Sequence, residues 1–205
     1  MKKYLAALAT TAAISTTPQA FAVGNTLEVK GTITPVACTP TFSNGGLIDI
    51  GKISKSQLKE DQNTKVGDAH PMRLTIACDG EISFALKPTD NTGNSSPVGP
   101  VAFGLGLTPK NEKLGFFVPS VTKVTADTAE GEAIESTDGL SWAKATAAKP
   151  GYFLSFTTTG GSLPIDAKDV TYDFTVDTFI ARADSLDLTD EIAFEGSATF
   201  DVVYY

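Results

Sequence analysis

The segment Ala198-Thr-Phe-Asp-Val-Val-Tyr-Tyr205 carries an apolar side chain at every second position, the period of a strand with one buried face. The apolar row consists of Ala198, Phe200, Val202 and Tyr204. Because the sequence stops here, we expect no later strand to pair with the free edge of this one. A second alternating row lies near the other end, at Leu27, Val29, Gly31 and Ile33. The two rows together predict a subunit whose N-terminal segment can supply a strand. The C-terminal strand has a free edge that lacks one.

Residues 1–22 have the pattern of a secretory signal peptide. Two lysines follow the first methionine, a short apolar core covers residues 4–14, and Ala20-Phe-Ala22 matches a cleavage site. The core is too short for a membrane-spanning helix. We therefore expect an exported protein whose mature chain has 183 residues and begins at Val23.

The mature length suits one all-β domain that buries a core of ordinary size. The net charge is −8 for the whole chain, and removal of the two signal-peptide lysines makes it −10. An acidic balance of this size argues against nucleic acid or an anionic membrane as a partner.

The chain has two cysteines, Cys38 and Cys78. In an oxidising compartment a single pair most simply forms a disulfide. This bond would close a loop of about 40 residues and stabilise the fold by about 4 kcal/mol in the chain-entropy model. Two free thiols are the alternative.

Short alternating runs separated by Gly, Pro, Thr and Ser predict further strands. The runs cover residues 47–50, 72–78, 82–86, 101–107, 152–156 and 170–180. Residues 54–59 predict one helical turn with Ser54 as its N-cap. Loops are predicted at residues 88–100, 124–150 and 183–191. Many short strands with one disulfide indicate a β-sandwich, and added strands within residues 124–150 are an open variant.

Four features together resemble the subunits of bacterial chaperone–usher fimbriae, in particular type 1 pilins. Residues 27–38, Leu-Glu-Val-Lys-Gly-Thr-Ile-Thr-Pro-Val-Ala-Cys, are similar to the pilin donor segment and first cysteine. The cysteine spacing, the run Leu74-Thr-Ile-Ala-Cys-Asp79 and a tyrosine second from the end complete the pattern. Residues 31–40 also resemble a branch of fimbria-like exported proteins of unknown function. The similarity is strong over residues 23–80 and 170–205 and weak between them.

This resemblance implies an incomplete immunoglobulin-like β-sandwich that lacks its seventh strand. The gap is then an apolar groove beside the C-terminal strand. A periplasmic chaperone is implied to lend a strand first, and at the outer-membrane usher the N-terminal extension of the next subunit replaces it. The implied organisation is a signal peptide at 1–22, a donor-strand extension at 23–37 and a pilin domain at 38–205.

The resemblance also assigns roles to individual side chains. The donor row is Leu27, Val29, Gly31 and Ile33, with Gly31 over a shallow part of the groove. The acceptor row is Ala198, Phe200, Val202 and Tyr204, and the carboxylate of Tyr205 is held by basic side chains of the chaperone. Two alternatives stay open: residues 27–33 form an ordinary first strand of their own domain, and residues 198–204 form a core strand of a complete sandwich.

An enzyme is the first rival class. The single histidine, His70, lies in Gly67-Asp-Ala-His-Pro71, which is typical of a loop, and no nucleophile-elbow motif surrounds any serine. The acidic group Asp184, Asp187, Asp190 and Glu191 lacks the glycine and spacing of a calcium loop. We therefore expect no catalytic residues, no metal and no cofactor.

A carbohydrate-binding adhesin is the second rival class. The resemblance implies that adhesins carry a separate N-terminal lectin domain and lack a donor extension, whereas this chain has the extension. Trp142, within the long middle segment 88–150, would either stack on a sugar or anchor its own loop.

The sequence thus predicts a non-enzymatic fimbrial subunit that polymerises by donor-strand exchange into a surface fibre for adhesion or biofilm formation. Its expected partners are a periplasmic chaperone, an outer-membrane usher and neighbouring subunits. The alternatives are a minor or tip-proximal carbohydrate-binding adhesin subunit and a complete periplasmic β-sandwich binding protein.

Overall fold

The computed structural model describes Glu28 and residues 36–205. The predicted signal peptide and the predicted donor side chains Leu27, Val29, Gly31 and Ile33 lie outside the described residues. Residues 34–205 form one compact unit, and Glu28, in the separate unit 1–33, is exposed to solvent. In the part of the chain that is described, no helix has the length and apolarity needed to cross a membrane.

Strands make up nearly all of the regular structure. Within the described residues they are β1 (Cys38–Phe42), β2 (Thr64–Ile82), β3 (Phe84–Asp90), β4 (Phe103–Gly104), β5 (Gly115–Ala126), β6 (Ala129–Ser136), β7 (Ala143–Lys144), β8 (Phe153–Thr158), β9 (Ala167–Ile180) and β10 (Ala198–Tyr204). Short 3₁₀ helices lie at Ser43–Gly46, Lys55–Gln57 and Ala183–Ser185.

The strands form one sheet in the order β1-β2-β9-β5-β6-β8-β3-β10, with β4 beside β5 and β7 beside β6. The two end strands approach each other, since the backbone N–H of Cys38 donates a hydrogen bond of 2.9 Å to the hydroxyl of Tyr204. The ring of Phe42, at the other end of β1, meets the ring of Phe200 at 5.2 Å. The fold is therefore all-β and sandwich-like, as predicted.

Alternating burial produces the core. In β9, the longest run predicted from the sequence, Val170, Tyr172 and Phe174 are buried while the intervening residues are only half-buried. The buried cluster around them includes Leu74, Ile76, Phe84, Leu86, Phe103, Val124, Leu154 and Phe156. Each such side chain stabilises the fold by about 1.5–3 kcal/mol on burial.

The disulfide forms as predicted. Cys38 and Cys78 are bonded and lie directly opposite each other on β1 and β2. Since most of β1 is exposed, it buries little apolar surface of its own. The covalent bond therefore keeps this short edge strand beside β2.

Three sequence predictions are wrong in detail. Residues 47–50 pair with no strand in the described structure, and the strand predicted at 101–107 shrinks to Phe103–Gly104 because Val101 and Leu107 remain about half exposed. Residues 124–150 are not one loop, since they contain the end of β5 and all of β6 and β7. Their inward positions are partly filled by alanine, such as Ala126 and Ala133, which weakens the apolar period.

His70 also departs from prediction, because it lies within β2, opposite Val176, and not in a loop. The turn-like residues before it form a bulge in the strand: the pairing register shifts between Val66 and His70, and Gly67 has a φ of 67°. A bulge inserts residues without ending the strand, which explains the misleading signal. The predicted cap is confirmed, since Ser54 caps Lys55–Gln57 in a capping box.

Candidate strand-binding groove

An apolar cavity of about 960 Å³ opens where the sheet ends, and we call it the edge groove. One side is the segment 47–53, here called the front segment, and the other is residues 191–200, here called the rear edge. The floor is supplied by β2, β5 and β9 through Met72, Phe117, Pro119, Phe174, Val176 and Ile180. Side chains of the hydrophobic core therefore line the groove.

The rear edge has strand-like alternation beyond the strand itself. Half-buried positions alternate with exposed ones from Glu191 to Phe200, although paired strand begins only at Ala198. The half-buried row consists of Ile192, Phe194, Gly196, Ala198 and Phe200. Since β10 is an end strand whose one neighbour in the described structure is β3, its other side is unpaired at Ala198 and Phe200, which line the groove.

The front segment mirrors this arrangement. Ile48 and Ile50 are half-buried and line the groove, while Leu47 is 75% exposed. The backbone is extended at Leu47 and again at Ser54. Two unpaired edges with inward apolar rows therefore flank one groove, and unpaired edges of this kind are templates for strand pairing.

Gly196 marks a narrow point in the wall of the groove. A Cβ atom on this residue would meet the carbonyl oxygen of Gly104 at 2.5 Å and Leu105 Cδ2 at 2.8 Å. Only glycine lets the rear edge pack this closely against β4 and the residue after it. The half-buried row along the rear edge is consequently uneven in side-chain size. Ile192 and Phe194 carry large side chains, and Gly196, which follows them, carries none.

The rim of the groove is charged, unlike its floor. Asp49, Asp190 and Glu195 line the groove together with Lys52 and Glu191. Lys52 Nζ lies 3.3 Å from Glu191 Oε1, so this pair joins the front segment to the rear edge. Both side chains are more than 80% exposed, and such a pair contributes little to stability.

The predicted acceptor residues divide into two groups. Ala198 and Phe200 line the groove, whereas Val202 and Tyr204 do not. The hydroxyl of Tyr204 instead accepts the hydrogen bond from the Cys38 backbone, beside β1. The groove thus occupies the part of the edge that precedes Phe200, and β1 flanks the part that follows it.

The chain end lies against the middle segment. Tyr205 is 54% exposed, partial burial raises the pKa of its hydroxyl, and its ring meets that of Trp142 edge-on at 5.9 Å. Trp142 is half-buried and follows a turn in which the Asp138 carboxylate accepts backbone hydrogen bonds from Leu140 and Ser141. These hydrogen bonds lower the pKa of Asp138. The contact anchors both the tryptophan and the terminal tyrosine.

The acidic residues at 184–191 and His70, which were considered as catalytic or metal-binding candidates, lie in separate local contacts. Asp184 pairs with Arg182, Asp187 with Lys110 and Glu191 with Lys52. His70 has a buried Nε2 without a hydrogen-bond partner among the described residues, close to Gly67. These groups are spread over separate contacts and do not converge on one point.

Sequence reasoning missed Ile192, Phe194 and Gly196 as members of the rear edge. Their signal was present, since they continue the same every-second-residue row backwards from Ala198. The predicted loop ended at Glu191, and the predicted C-terminal strand began at Ala198, so the residues between them were assigned to neither.

Comparison with known proteins gives distant relationships. A family described as "Protein of unknown function (DUF1120)" matches residues 27–99, which include the first predicted row, the disulfide and β1 to β3. An uncharacterized protein, YhcF, from Escherichia coli K12 is 23% identical over 87% of this chain and 89% of its own length. Protein GltF from the same organism is 26% identical over 99% of this chain and 98% of its own length. The chain is therefore similar to these proteins over nearly all of its length.

Proposed function

We propose that this chain is the subunit of a surface fibre, and that it receives a β-strand from a neighbouring subunit in the edge groove. Its own residues 23–34 serve as the strand for the next subunit. The observation that carries this proposal is an apolar groove bounded on both sides by unpaired edges.

A strand in the groove would satisfy two physical demands at once. Backbone N–H and C=O groups along the rear edge, which forms no strand before Ala198, would gain partners, and the half-buried row at Phe194, Gly196 and Ala198 would be covered. Strand addition of this kind derives its strength from backbone hydrogen bonds and its register from alternate side chains. An empty groove, in contrast, exposes both an edge and apolar side chains to aggregation.

The sequence contains a segment with the matching pattern. Residues 27–33 alternate apolar and polar side chains, with Leu27, Val29 and Ile33 on one face. A strand of this length spans about 23 Å at roughly 3.3 Å per residue, enough to cover the rear edge from Ile192 to Ala198. The segment and the groove are therefore matched in both period and length.

The position of residues 36–38 favours an open-ended assembly. The carbonyl oxygen of Ala37 accepts a hydrogen bond of 2.9 Å from Asp79, and Cys38 lies beside Tyr204, at the far end of β10 from the groove. Donor and acceptor surfaces at different places on one molecule produce a heterologous contact, which continues as a filament when it does not close.

The proposal includes export and helper proteins. An exported subunit with an empty groove needs a periplasmic chaperone to cover it and an outer-membrane usher to replace the chaperone with the next subunit. The expected location is a surface fimbrium, and the expected role is attachment or biofilm formation without catalysis. The distant similarity to proteins of unknown function is compatible with this role.

Thermal unfolding with an added peptide tests the proposal. The mature protein is compared with a form lacking residues 23–34, and a synthetic peptide of residues 24–36 is titrated into both. We expect the peptide to raise the unfolding midpoint of the shortened form strongly, because it fills the groove only in the folded state. A peptide with Val29→Asp and Ile33→Asp is the matched control and should leave the midpoint unchanged.

The opposite outcome would be a shortened form that unfolds cooperatively at the same midpoint with and without peptide. That result would mean a complete sandwich and would contradict the proposed function.

A further inference from the structure

We propose that Glu195 determines the register of the incoming strand by pairing with Lys30 of a second copy of this chain. The strand runs antiparallel to the rear edge, with Gly31 opposite Phe194. This inference rests on the proposed function and adds to it the residues that select the partner and its alignment.

The first argument is shape. Along the rear edge the inward positions are large at Phe194, empty at Gly196 and small at Ala198. In a single antiparallel register the incoming row complements each of these three: Leu27 faces Ala198, Val29 faces Gly196 and Gly31 faces Phe194, while Ile33 faces Ile192. Directly opposed side chains contact each other across strands, so a large group facing a small one fills the space without overlap.

The second argument is charge. The same register places Lys30 directly opposite Glu195 on the outward face. Glu195 is exposed and forms no ion pair within the described residues. Opposite charges at directly opposed positions stabilise strand pairing, and like charges destabilise it. Shape and charge therefore select the same alignment independently.

Both neighbouring antiparallel registers lose the match of Gly31 with Phe194 and the pairing of Lys30 with Glu195. A shift by two residues in one direction stacks Gly31 on Gly196, which leaves a void, and moves Lys30 to Ser197. A shift in the other direction presses Val29 against Phe194 and places Glu28 opposite Glu195, a pair of like charges. A one-residue shift turns the apolar row outward.

Parallel strands fit less well. With Gly31 at Phe194, a parallel strand brings Glu28 to Glu191, which is again a pair of like charges. A parallel strand that keeps Lys30 beside Glu195 places Gly31 on Gly196, which leaves a void. It also presses Val29 against Phe194.

The far end of β10 is also excluded. A register with Lys30 opposite Asp201 would require space along Phe200 to Tyr204, where β1 already lies: Phe42 contacts Phe200, and the Cys38 backbone is bonded to Tyr204. The strand is thus confined to the part of the edge around Glu195.

Disulfide trapping between full-length copies tests the register. Copies carrying Lys30→Cys are exported together with copies carrying Glu195→Cys, Ser197→Cys, Ala193→Cys or Glu191→Cys, and covalent dimers are measured on non-reducing gels. Opposed positions on paired strands have Cβ atoms about 4.5–5.5 Å apart, close to what a disulfide needs. We expect Lys30→Cys to trap Glu195→Cys, and Glu28→Cys to trap Ser197→Cys but not Ala193→Cys.

The outcomes distinguish an error in the proposed register from the absence of strand donation. Trapping of Lys30→Cys by Ser197→Cys, Ala193→Cys or Glu191→Cys, or of Glu28→Cys by Ala193→Cys, would overturn the register while leaving strand donation intact. Trapping at none of these positions would contradict strand donation itself, and the register with it.

Charge reversal tests the role of the pair in selection. We expect Lys30→Glu to slow assembly of the full chain by roughly two- to fivefold, and Glu195→Lys in the same chain to restore it. Glu191→Lys is the matched control on the same edge and should not restore assembly. Equal rescue by both substitutions would show that general charge, and not the opposed pair, sets the rate.

Discussion

Phe200 shows at the scale of one residue how the core and the groove are joined. Its ring contacts Phe42 at 5.2 Å and lies 6.3 Å from both Phe103 and Phe174, yet the side chain is only half-buried. Aromatic contacts of this kind contribute about 0.5–1.5 kcal/mol beyond burial. The residue is therefore fixed by the core on one side and lines the groove on the other.

Tyr172 provides a test of core polarity. The residue is fully buried, its hydroxyl has no hydrogen-bond partner among the described residues, and burial raises the pKa of the phenol. Removal of an unsatisfied buried group stabilises a protein, so we expect Tyr172→Phe to raise the free energy of unfolding by about 1 kcal/mol in urea titrations. Loss of stability would mean that the hydroxyl is bonded to a buried water. Tyr152→Phe is a control at a more accessible tyrosine and should change little.

Gly196 provides a test of the close approach beside the groove. A Cβ atom would lie 2.5 Å from the carbonyl oxygen of Gly104, a backbone group that cannot move aside. We expect Gly196→Val to lower the free energy of unfolding by about 1–3 kcal/mol, as overpacking does. Ala193→Val, on the exposed face of the same edge, should have little effect. Equal stability of both variants would show that the rear edge is free to move away from β4.

At the scale of elements, a charged hydrogen bond fixes the loop that precedes the rear edge. The carboxylate of Asp187 is hydrogen-bonded to Lys110, so two loops far apart in sequence are joined beside Leu186 and Leu188, which line the groove. This hydrogen bond, followed by those from Thr189, lowers the pKa of Asp187 to about 2. The loop at the end of the groove is thus held by this hydrogen bond at neutral pH and loses the charge of Asp187 only under acidic conditions.

The pH dependence of stability has a definite sign. Because the folded pKa of Asp187 lies below the unfolded value of about 3.9, its contribution is present above about pH 4 and is lost as the pH falls towards about 2. We expect Asp187→Asn to lower the urea midpoint at pH 7, with the difference from wild type disappearing near pH 2. Asp190→Asn, on the same loop, should give the wild-type midpoint. A difference that is constant with pH would contradict the assignment.

At the scale of the whole molecule, the sheet is open. Its order places β1 and β10 at the two ends, and the strands touch near Tyr204 but diverge after Phe42 into the groove. We therefore expect isolated mature protein either to aggregate or to fill its groove with an extension. A long-lived monomer with a disordered N-terminus would argue against the proposed function.

A substitution in the incoming segment tests assembly without disturbing the domain. We expect Gly31→Trp to block polymerisation, because an indole at this position would overlap the groove wall, while the unfolding midpoint of residues 34–205 stays unchanged. Fibre formation is measured by electron microscopy, and Thr32→Trp, on the opposite face, is the matched control. Normal fibres from Gly31→Trp would show that this residue does not face the groove.

Much of the architecture could be predicted from local patterns. The alternating periods identified residues 72–78 of β2, most of β9 and all of β10, and a lone cysteine pair identified the bond between β1 and β2. The hairpin of β5 and β6 was not predicted, because its buried positions do not alternate strictly. In β5 a register shift lies between Val121 and Lys123, and β6 buries the neighbours Ala133 and Ile134. The front segment was predicted to be a strand because its alternation is genuine, although nothing in the described structure pairs with it.

The sequence by itself determined the all-β class, the disulfide and the alternating rows near both ends, because these depend on period and composition. Only the tertiary structure decided where the groove lies. Its position depends on β1 flanking β10 beyond Phe200 and on Gly196 packing against Gly104, which are contacts between residues far apart in the chain. Such contacts leave no local pattern, so they can be seen only when the sheet has been assembled.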